Sequence, residues 1–153
     1  MRVLVVDDDQ LIHELISVAL SNGNYEILHA FSADDALRQF CKHGDIGLII
    51  TDIVMPGQDG TKLIKQIRAV RDDIPVLAIT GGVENAIDDY VGLASLYSDY
   101  TLAKPFTRKA LIEGIEQASE RVISQNQNGT GTSEESLFDE LVRILGKCDG
   151  YIQ

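Results

Sequence analysis

Residues Leu48–Gly60 read Leu-Ile-Ile-Thr-Asp-Ile-Val-Met-Pro-Gly-Gln-Asp-Gly, and this stretch decides the fold. Its apolar start is typical of a parallel strand that is buried on both faces. The strand delivers one carboxylate, Asp52, at its end. Met-Pro and Asp-Gly then break the chain, because Pro fixes φ and Gly tolerates positive φ. Ligands of an open parallel sheet bind beyond the carboxyl ends of its strands, so Asp52 is a candidate functional residue.

Four more short runs have the composition of strands, and they alternate with segments of helical periodicity. The strands are predicted at Val3–Val6, Glu26–Ala30, Ile74–Thr80 and Tyr100–Ala103. Two helices are predicted from the N-cap Asp9 to a stop at Asn22-Gly23, and from the N-cap Ser32 to near Gly44. Three more are predicted at Thr61–Val70, at Glu84–Leu96, and at Arg108–Ile123 after the N-cap Thr107. This alternation predicts an α/β fold with a parallel sheet covered on both faces.

Length and charge bound the class of protein. The 153 residues allow one domain and a short appendage, and the net charge of −11 disfavours nucleic acid and anionic membranes as partners. No apolar run approaches the roughly 18 residues of a membrane span, and a strand begins directly after Met1-Arg2. We therefore predict a cytoplasmic protein. Cys41 and Cys148 lack paired spacing and are interpreted as reduced thiols.

The composition changes towards the end of the chain. Residues 1–124 are predicted to form the domain, residues 125–133 a polar, Gly-containing flexible linker, and residues 134–153 a short amphipathic helix and tail. The last helix either binds a groove, on a partner or on its own domain, or packs back as extra core. The sequence leaves both interpretations open.

Charged or hydroxyl side chains stand at the ends of four predicted strands: Asp7 and Asp8, Asp52, Thr80, and Lys104. Neighbouring parallel strands end at one edge, so these groups can share a pocket. Three carboxylates repel one another unless a cation lies among them, and oxygen ligands suit Mg²⁺. With a lysine and a hydroxyl added, the set indicates a phosphoryl-transfer site in which Asp52 is the nucleophile.

Other polar residues have simpler interpretations. Asp9 and Asp59 are expected to cap helices. His13, His29 and His43 lack the spacing of metal ligands and are interpreted as surface or hydrogen-bonded histidines. The chain contains no Gly-x-x-x-x-Gly-Lys sequence and is therefore not a P-loop protein.

With these motifs the chain resembles the receiver domain of two-component response regulators, over roughly Met1–Ser124. The matching motifs occur in the family's order: Asp7-Asp8, Asp52 with Met55-Pro56 and Asp59-Gly60, Thr80, and Lys104-Pro105-Phe106. The resemblance implies a flavodoxin-like doubly wound sheet of five parallel strands in the order 2-1-3-4-5. It also implies a phosphoprotein of a phosphorelay that catalyses its own phosphorylation and dephosphorylation, and not a metabolic enzyme.

The resemblance also assigns roles to residues. Asp52 would accept a phosphoryl group from a sensor histidine kinase or a histidine phosphotransfer protein. Mg²⁺ would be bound by Asp7, Asp8, Asp52 and the backbone carbonyl of Val54, with Asp7 acting largely through water. 

The remaining roles concern the phosphoryl group and the partners. Thr80 and Lys104 would contact the acyl phosphate, and the Lys104-Pro105 peptide would be cis. Phosphorylation would shift the chain towards a state that binds a downstream protein target. The expected organisation is a stand-alone receiver without a DNA-binding output, with the face of the fourth and fifth predicted helices available for a dimer.

Two departures from the family pattern have consequences. The family places an aromatic residue three positions before the lysine, where this chain has Thr101, and Tyr100 points to the other face of a strand. Val54 and the Gly81-Gly82 pair stand near places where the family has polar side chains that help to position the hydrolytic water. We therefore expect slow loss of the phosphoryl group.

Two alternatives remain at this point. A haloacid-dehalogenase-like phosphatase would use Asp7 as nucleophile and Asp9 as the second acid, but it does not need the Asp52 segment. A degenerate receiver would bind partners without being phosphorylated.

Overall fold

The computed structural model describes residues 1–81, 92 and 94–127. The strands are β1 (Arg2–Val6), β2 (Glu26–Ala30), β3 (Ile46–Asp52), β4 (Val54–Met55), β5 (Gln58–Asp59), β6 (Val76–Gly81) and β7 (Tyr100–Lys104). The helices are α1 (Gln10–Leu20), α2 (Ala33–Lys42), α3 (Gly60–Arg68) and α4 (Arg108–Gln127).

The main sheet has five parallel strands in the order β2-β1-β3-β6-β7. Strands β4 and β5 form a separate antiparallel hairpin directly after β3. The predicted α/β fold is confirmed. The strand numbers differ from the predicted order because the hairpin adds two strands that the sequence analysis did not predict.

The sheet is buried on both faces, as the apolar run Val3–Val6 of the central strand β1 shows. Leu4 and Val6 face one hydrophobic cluster, which also contains residues of α2 and α3. Val3 and Val5 face a second cluster, with residues of α1 and α4. Each of these four residues is 0–1% exposed. Burial at successive positions is what a sheet covered by helices on both sides requires.

Each helix N-terminus that the sequence analysis assigned to a capping residue is confirmed. The cap oxygen accepts a hydrogen bond from a backbone N–H of the first turn, which would otherwise lack an intrahelical partner. The pairs are Asp9 with Leu11 (2.9 Å), Ser32 with Asp35 (3.1 Å), Asp59 with Thr61 (2.8 Å) and Thr107 with Ala110 (3.1 Å).

Helix α4 runs to Gln127, so its last turn includes residues assigned from sequence to the linker. Most of the predicted helix at Glu84–Leu96, and everything after Gln127, lies outside the described residues, so the division into domain, linker and tail stays a prediction. Cys41 is disulfide-bonded, and the prediction of a reduced thiol is wrong there. No described helix is long and apolar enough to cross a membrane, and the cytoplasmic location stays a prediction.

Gly60 lies where α3 begins, against the end of β3. Its N–H donates to the carbonyl oxygen of Ile53 at 2.9 Å. A Cβ at this position would lie 2.8 Å from Ile53 Cα and would overlap the carbonyl oxygen of Asp52. Only glycine allows α3 to approach the backbone that carries Asp52 so closely.

We predict that Gly60→Ala lowers the free energy of unfolding by about 2–3 kcal/mol, because the backbone of Asp52 and Ile53 must move. Gly44→Ala is the matched control, since nothing lies within 4 Å of a Cβ there. Urea denaturation measures both variants. A Gly60→Ala variant as stable as Gly44→Ala would contradict the close approach.

Candidate functional site

Three carboxylates meet at the carboxyl ends of β1 and β3. The two strands pair in parallel with Val6 opposite Thr51, so Asp7 and Asp52, the next residues, end side by side. Each of Asp7, Asp8 and Asp52 has a carboxylate oxygen within 4.8 Å of the other two. Asp7 and Asp52 are buried, whereas Asp8 is exposed. The acidic pocket, as we call these three residues, therefore brings together the carboxylates predicted from the strand ends.

Lys104 at the end of β7 contacts two of these carboxylates. Its ammonium donates to Asp7 Oδ2 at 2.8 Å and to Asp52 Oδ2 at 3.2 Å. The sheet order places β6 between β7 and β3, and β3 between β6 and β1, so the lysine reaches across one strand to Asp52 and across two to Asp7. The long, flexible side chain of lysine suits this position, and its peptide bond to Pro105 is cis as predicted.

Backbone amides hold the other carboxylate oxygens. Asp7 Oδ1 accepts from the N–H of Asp9 at 2.8 Å. Asp52 Oδ1 accepts from the N–H of Val54, in the short β4–β5 hairpin, at 3.1 Å. The orientation of both buried carboxylates is therefore fixed by one amide and one ammonium each.

The charges in the pocket are out of balance, since three carboxylates face one ammonium. Burial raises the pKa of the Asp52 carboxyl, and the charge of Asp7 adds to this effect, although Lys104 and the Val54 amide act in the opposite direction. Burial alone would lower the pKa of the Lys104 ammonium. The hydrogen bond to Asp7 and the charges of Asp52 and Asp7 outweigh burial, so the Lys104 pKa is raised.

The donors fit Mg²⁺ in kind and in charge. All three side chains offer oxygen, which Mg²⁺ prefers, and one exposed residue leaves access for water molecules. Three carboxylates and one ammonium leave the pocket with an excess of negative charge, which a divalent cation would balance.

Thr80 lies at the same edge of the sheet. It is buried near the end of β6, one residue beyond the pairing of Ile79 with Asp52, and it pairs with Ala103. The strand order thus places the Thr80 hydroxyl next to the end of β3. This is the position that the sequence analysis predicted for a hydroxyl donor.

The aromatic residue of β7 lies on the α4 face of the sheet. Tyr100 packs beside Gly114 of α4, where a Cβ would come within 3.2 Å of the ring. The Thr101 hydroxyl lies 3.2 Å from the Ser98 hydroxyl, which donates to the Ala94 carbonyl at 2.7 Å. Tyr100 therefore does not replace the aromatic residue that the family carries at position 101.

One contact of the pocket was missed by the sequence analysis. The buried His13 ring lies with Nε2 2.8 Å from the carbonyl oxygen of Asp7, and with Nδ1 2.9 Å from His29 Nδ1. Burial, and then the proximity of His13, lowers the pKa of His29. Sequence spacing gives no sign of this pair, because it depends on how α1 packs beside β2.

Comparison with known proteins agrees with this geometry. A family model described as the response regulator receiver domain matches residues 3–116. The transcriptional regulatory protein AruR of Pseudomonas aeruginosa is 34% identical over 140 residues, which are 89% of this chain and 56% of that protein. The response regulator MprA of Mycobacterium avium is 33% identical over 112 residues, 73% of this chain and 48% of that protein. The chain spans about half the length of the curated relatives it matches.

Solved structures are similar as well. A response regulator receiver domain protein from Clostridium thermocellum superposes with a TM-score of 0.68 and 28% identity, covering 78% of this chain and 94% of that one. NtrX from Brucella abortus in complex with ADP gives a TM-score of 0.72 and 29% identity, over 88% of this chain and 31% of that one.

We predict that Asp52→Asn stabilises the protein at pH 7 without divalent ions, by on the order of 1 kcal/mol. The folded-state pKa of Asp52 is raised, so its ionised form destabilises the folded protein above that pKa. This destabilisation disappears as the pH falls through the folded-state pKa of Asp52. Urea denaturation in EDTA measures the gain, which should shrink towards pH 4.

The matched control is Asp45→Asn, which changes an exposed carboxylate away from the pocket. A loss of stability in Asp52→Asn at pH 7 would show that Lys104 already balances the pocket.

Proposed function

This chain belongs to the response regulator receiver domain family, and we propose that Asp52 is its phosphoacceptor. The donor would be the phosphohistidine of a sensor histidine kinase or of a histidine phosphotransfer protein. One observation carries the proposal: the buried Asp52 carboxylate lies 3.2 Å from the Lys104 ammonium, within an all-oxygen cluster of three acids. Such a site suits transfer of a phosphoryl group to a carboxylate.

In the proposed step a carboxylate oxygen of Asp52 forms a bond to phosphorus. The bond from phosphorus to the donor histidine nitrogen breaks, and its electron pair stays on that nitrogen. The Val54 N–H donates to Asp52 Oδ1 at 3.1 Å and so holds the Asp52 carboxylate in one orientation. This preorganisation reduces the rearrangement needed for in-line attack.

The chain's own residues balance the charge of the phosphoryl group. Asp7, Asp8, Asp52 and the Val54 carbonyl would bind Mg²⁺, which supplies positive charge at the phosphoryl oxygens. Lys104 contacts Asp7 and Asp52 in the unphosphorylated protein, and its raised pKa keeps it charged near the acyl phosphate. Thr80, at the end of the neighbouring strand, would donate its hydroxyl to the same group.

The contacts of Asp7 and Asp9 favour this assignment over phosphatase chemistry at Asp7. Asp9 accepts from the N–H of Leu11 as a helix cap, a different task from that of a second catalytic acid. Both oxygens of Asp7 are engaged, one by the Asp9 amide and one by Lys104. Asp7 is thus held as a fixed negative charge beside Asp52.

The downstream effect that we propose is binding of a protein target after phosphorylation. Thr80 would move towards the phosphoryl group, and the Ser98–Thr101 hydroxyl contact would transmit the change where the family uses an aromatic residue. The stand-alone organisation and a dimer through the face of the fourth and fifth predicted helices stay predictions. AruR is a transcriptional regulatory protein, and this chain spans 56% of its length.

Incubation with acetyl phosphate tests the acceptor. We predict that intact mass spectrometry detects the gain of one phosphoryl group in wild type with Mg²⁺, and none with EDTA or in Asp52→Asn. Asp59→Asn is the matched control, because asparagine caps helices as well as aspartate does. Labelling that persists in Asp52→Asn would move the chemistry to Asp7. Absence of labelling in wild type would favour a receiver that binds partners without phosphorylation.

The lifetime of the acyl phosphate tests the second departure from the family pattern. Val54 is 46% exposed and apolar, so it cannot hold a hydrolytic water by hydrogen bonds. We predict that Val54→Gln shortens the lifetime of the acyl phosphate severalfold or more. The upper bound is about 10²-fold, the lower end of the rate effect of one positioned catalytic group. Val54→Leu serves as control. A wild-type lifetime of only seconds would contradict the expectation.

A further inference from the structure

The loop between β1 and α1 consists of Asp7, Asp8 and Asp9, and a buried histidine of α1 contacts it. His13 Nε2 lies 2.8 Å from the carbonyl oxygen of Asp7. That carbonyl belongs to the peptide that joins Asp7 to Asp8, the two acids that the loop contributes to the acidic pocket. We propose that His13 is a positioning residue, which holds this peptide so that the Asp8 carboxylate lies where Mg²⁺ binds. The inference rests on the cation site of the proposed function.

The Asp7 carbonyl lies just beyond the hydrogen bonds of the sheet. The N–H of Asp7 still donates to the carbonyl oxygen of Ala30, the last residue of β2, at 3.1 Å. Asp7 is 1% exposed, and a buried carbonyl without a donor costs free energy. The ring of His13 supplies that donor from α1. The first peptide of the loop is therefore held on one side by the sheet and on the other by a side chain.

The His13 ring acts as the donor in this contact, and its direction is fixed. A carbonyl oxygen only accepts, so Nε2 carries the hydrogen. The other ring nitrogen, Nδ1, lies 2.9 Å from Nδ1 of His29. The Phe31 ring packs against the His13 ring at 4.3 Å between centroids. The ring is thus engaged at both nitrogens and by an aromatic contact, and His13 is itself 1% exposed.

Asp8 is the acid of the pocket whose position depends most on the loop backbone. The carboxylates of Asp7 and Asp52 are each held by the Lys104 ammonium and by one backbone amide. Asp8 is exposed, and among the described residues none forms a hydrogen bond or ion pair with its carboxylate. Its place is therefore set by the peptides on either side, of which the first is the one that His13 holds.

This arrangement makes His13 an indirect part of the cation site. Groups that orient a metal ligand without touching the metal raise its affinity by about 10–100-fold in known sites. His13 contacts no carboxylate of the pocket, so its effect must pass through the Asp7–Asp8 peptide. An apolar side chain of similar size would fill the same space and leave the peptide without its donor.

Isothermal titration of the full, metal-free chain with Mg²⁺ tests the role. We expect the Mg²⁺ dissociation constant to rise about tenfold in His13→Phe, which keeps the aromatic ring and removes the donor. His13→Gln should largely restore the affinity, because the amide nitrogen of glutamine can donate from nearly the same place as Nε2. Circular dichroism checks that each variant is folded.

Ile16→Val is the matched control for a loss of packing. Ile16 lies on the same helix, is 0% exposed and belongs to the cluster that contains Val3 and Val5. The variant removes one buried methyl group and no hydrogen bond, so it should lower stability and leave the Mg²⁺ affinity unchanged. A residue that only packs would behave like Ile16 and would not be rescued by glutamine.

A measurement on wild type needs no variant to fold. The Nε2–H proton of His13 should give an NMR signal that exchanges slowly with water, because it is buried and hydrogen-bonded to a carbonyl. Absence of this signal would overturn the proposal, as would equal Mg²⁺ affinity in wild type and His13→Phe, or an equal loss in Ile16→Val or His13→Gln. Failure of wild type to bind Mg²⁺ would overturn the cation site itself, and this role with it. None of these results depends on phosphorylation of Asp52.

Discussion

The contact of the Lys104 ammonium with the buried carboxylates of Asp7 and Asp52 is the interaction on which the site depends. The parallel sheet brings these carboxylates together at the ends of adjacent strands, where their charges repel each other. One lysine faces these two carboxylates and the exposed Asp8, and burial raises the pKa of the Asp52 carboxyl. The pocket therefore carries more negative than positive charge. The proposed cation binding and the proposed phosphoryl transfer both depend on this excess.

The rest of the fold keeps this repulsive arrangement in place. The close approach of α3 at Gly60 fixes the backbone of Asp52 and Ile53, and the Val54 amide in the β4–β5 hairpin fixes the Asp52 carboxylate. Arg68 of α3 pairs with the buried Asp99, which also accepts from the Val76 N–H at 2.8 Å. These contacts tie α3 to the starts of β6 and β7, the strands that carry Thr80 and Lys104 at their other ends.

The sequence predicted the five main strands and the acidic pocket because each reactive residue follows an apolar run, and parallel strands end together. It did not predict the β4–β5 hairpin, whose strands of two residues each are too short for a periodic signal. It also missed the contact of His13 with His29, which depends on packing between residues far apart in the chain. For Tyr100 the alternation of strand faces was sufficient, because the residue lies on the α4 face as that rule requires.

The most direct measurement is the change in the free energy of unfolding when Mg²⁺ is added at pH 7. A cation bound only by the folded protein stabilises it by about 2.7 kcal/mol at one hundred times its dissociation constant. We predict a saturable Mg²⁺ stabilisation of wild type that is largely lost in Asp52→Asn and kept in Asp45→Asn. An Mg²⁺ effect that is absent in wild type, or equal in wild type and Asp52→Asn, would contradict the account.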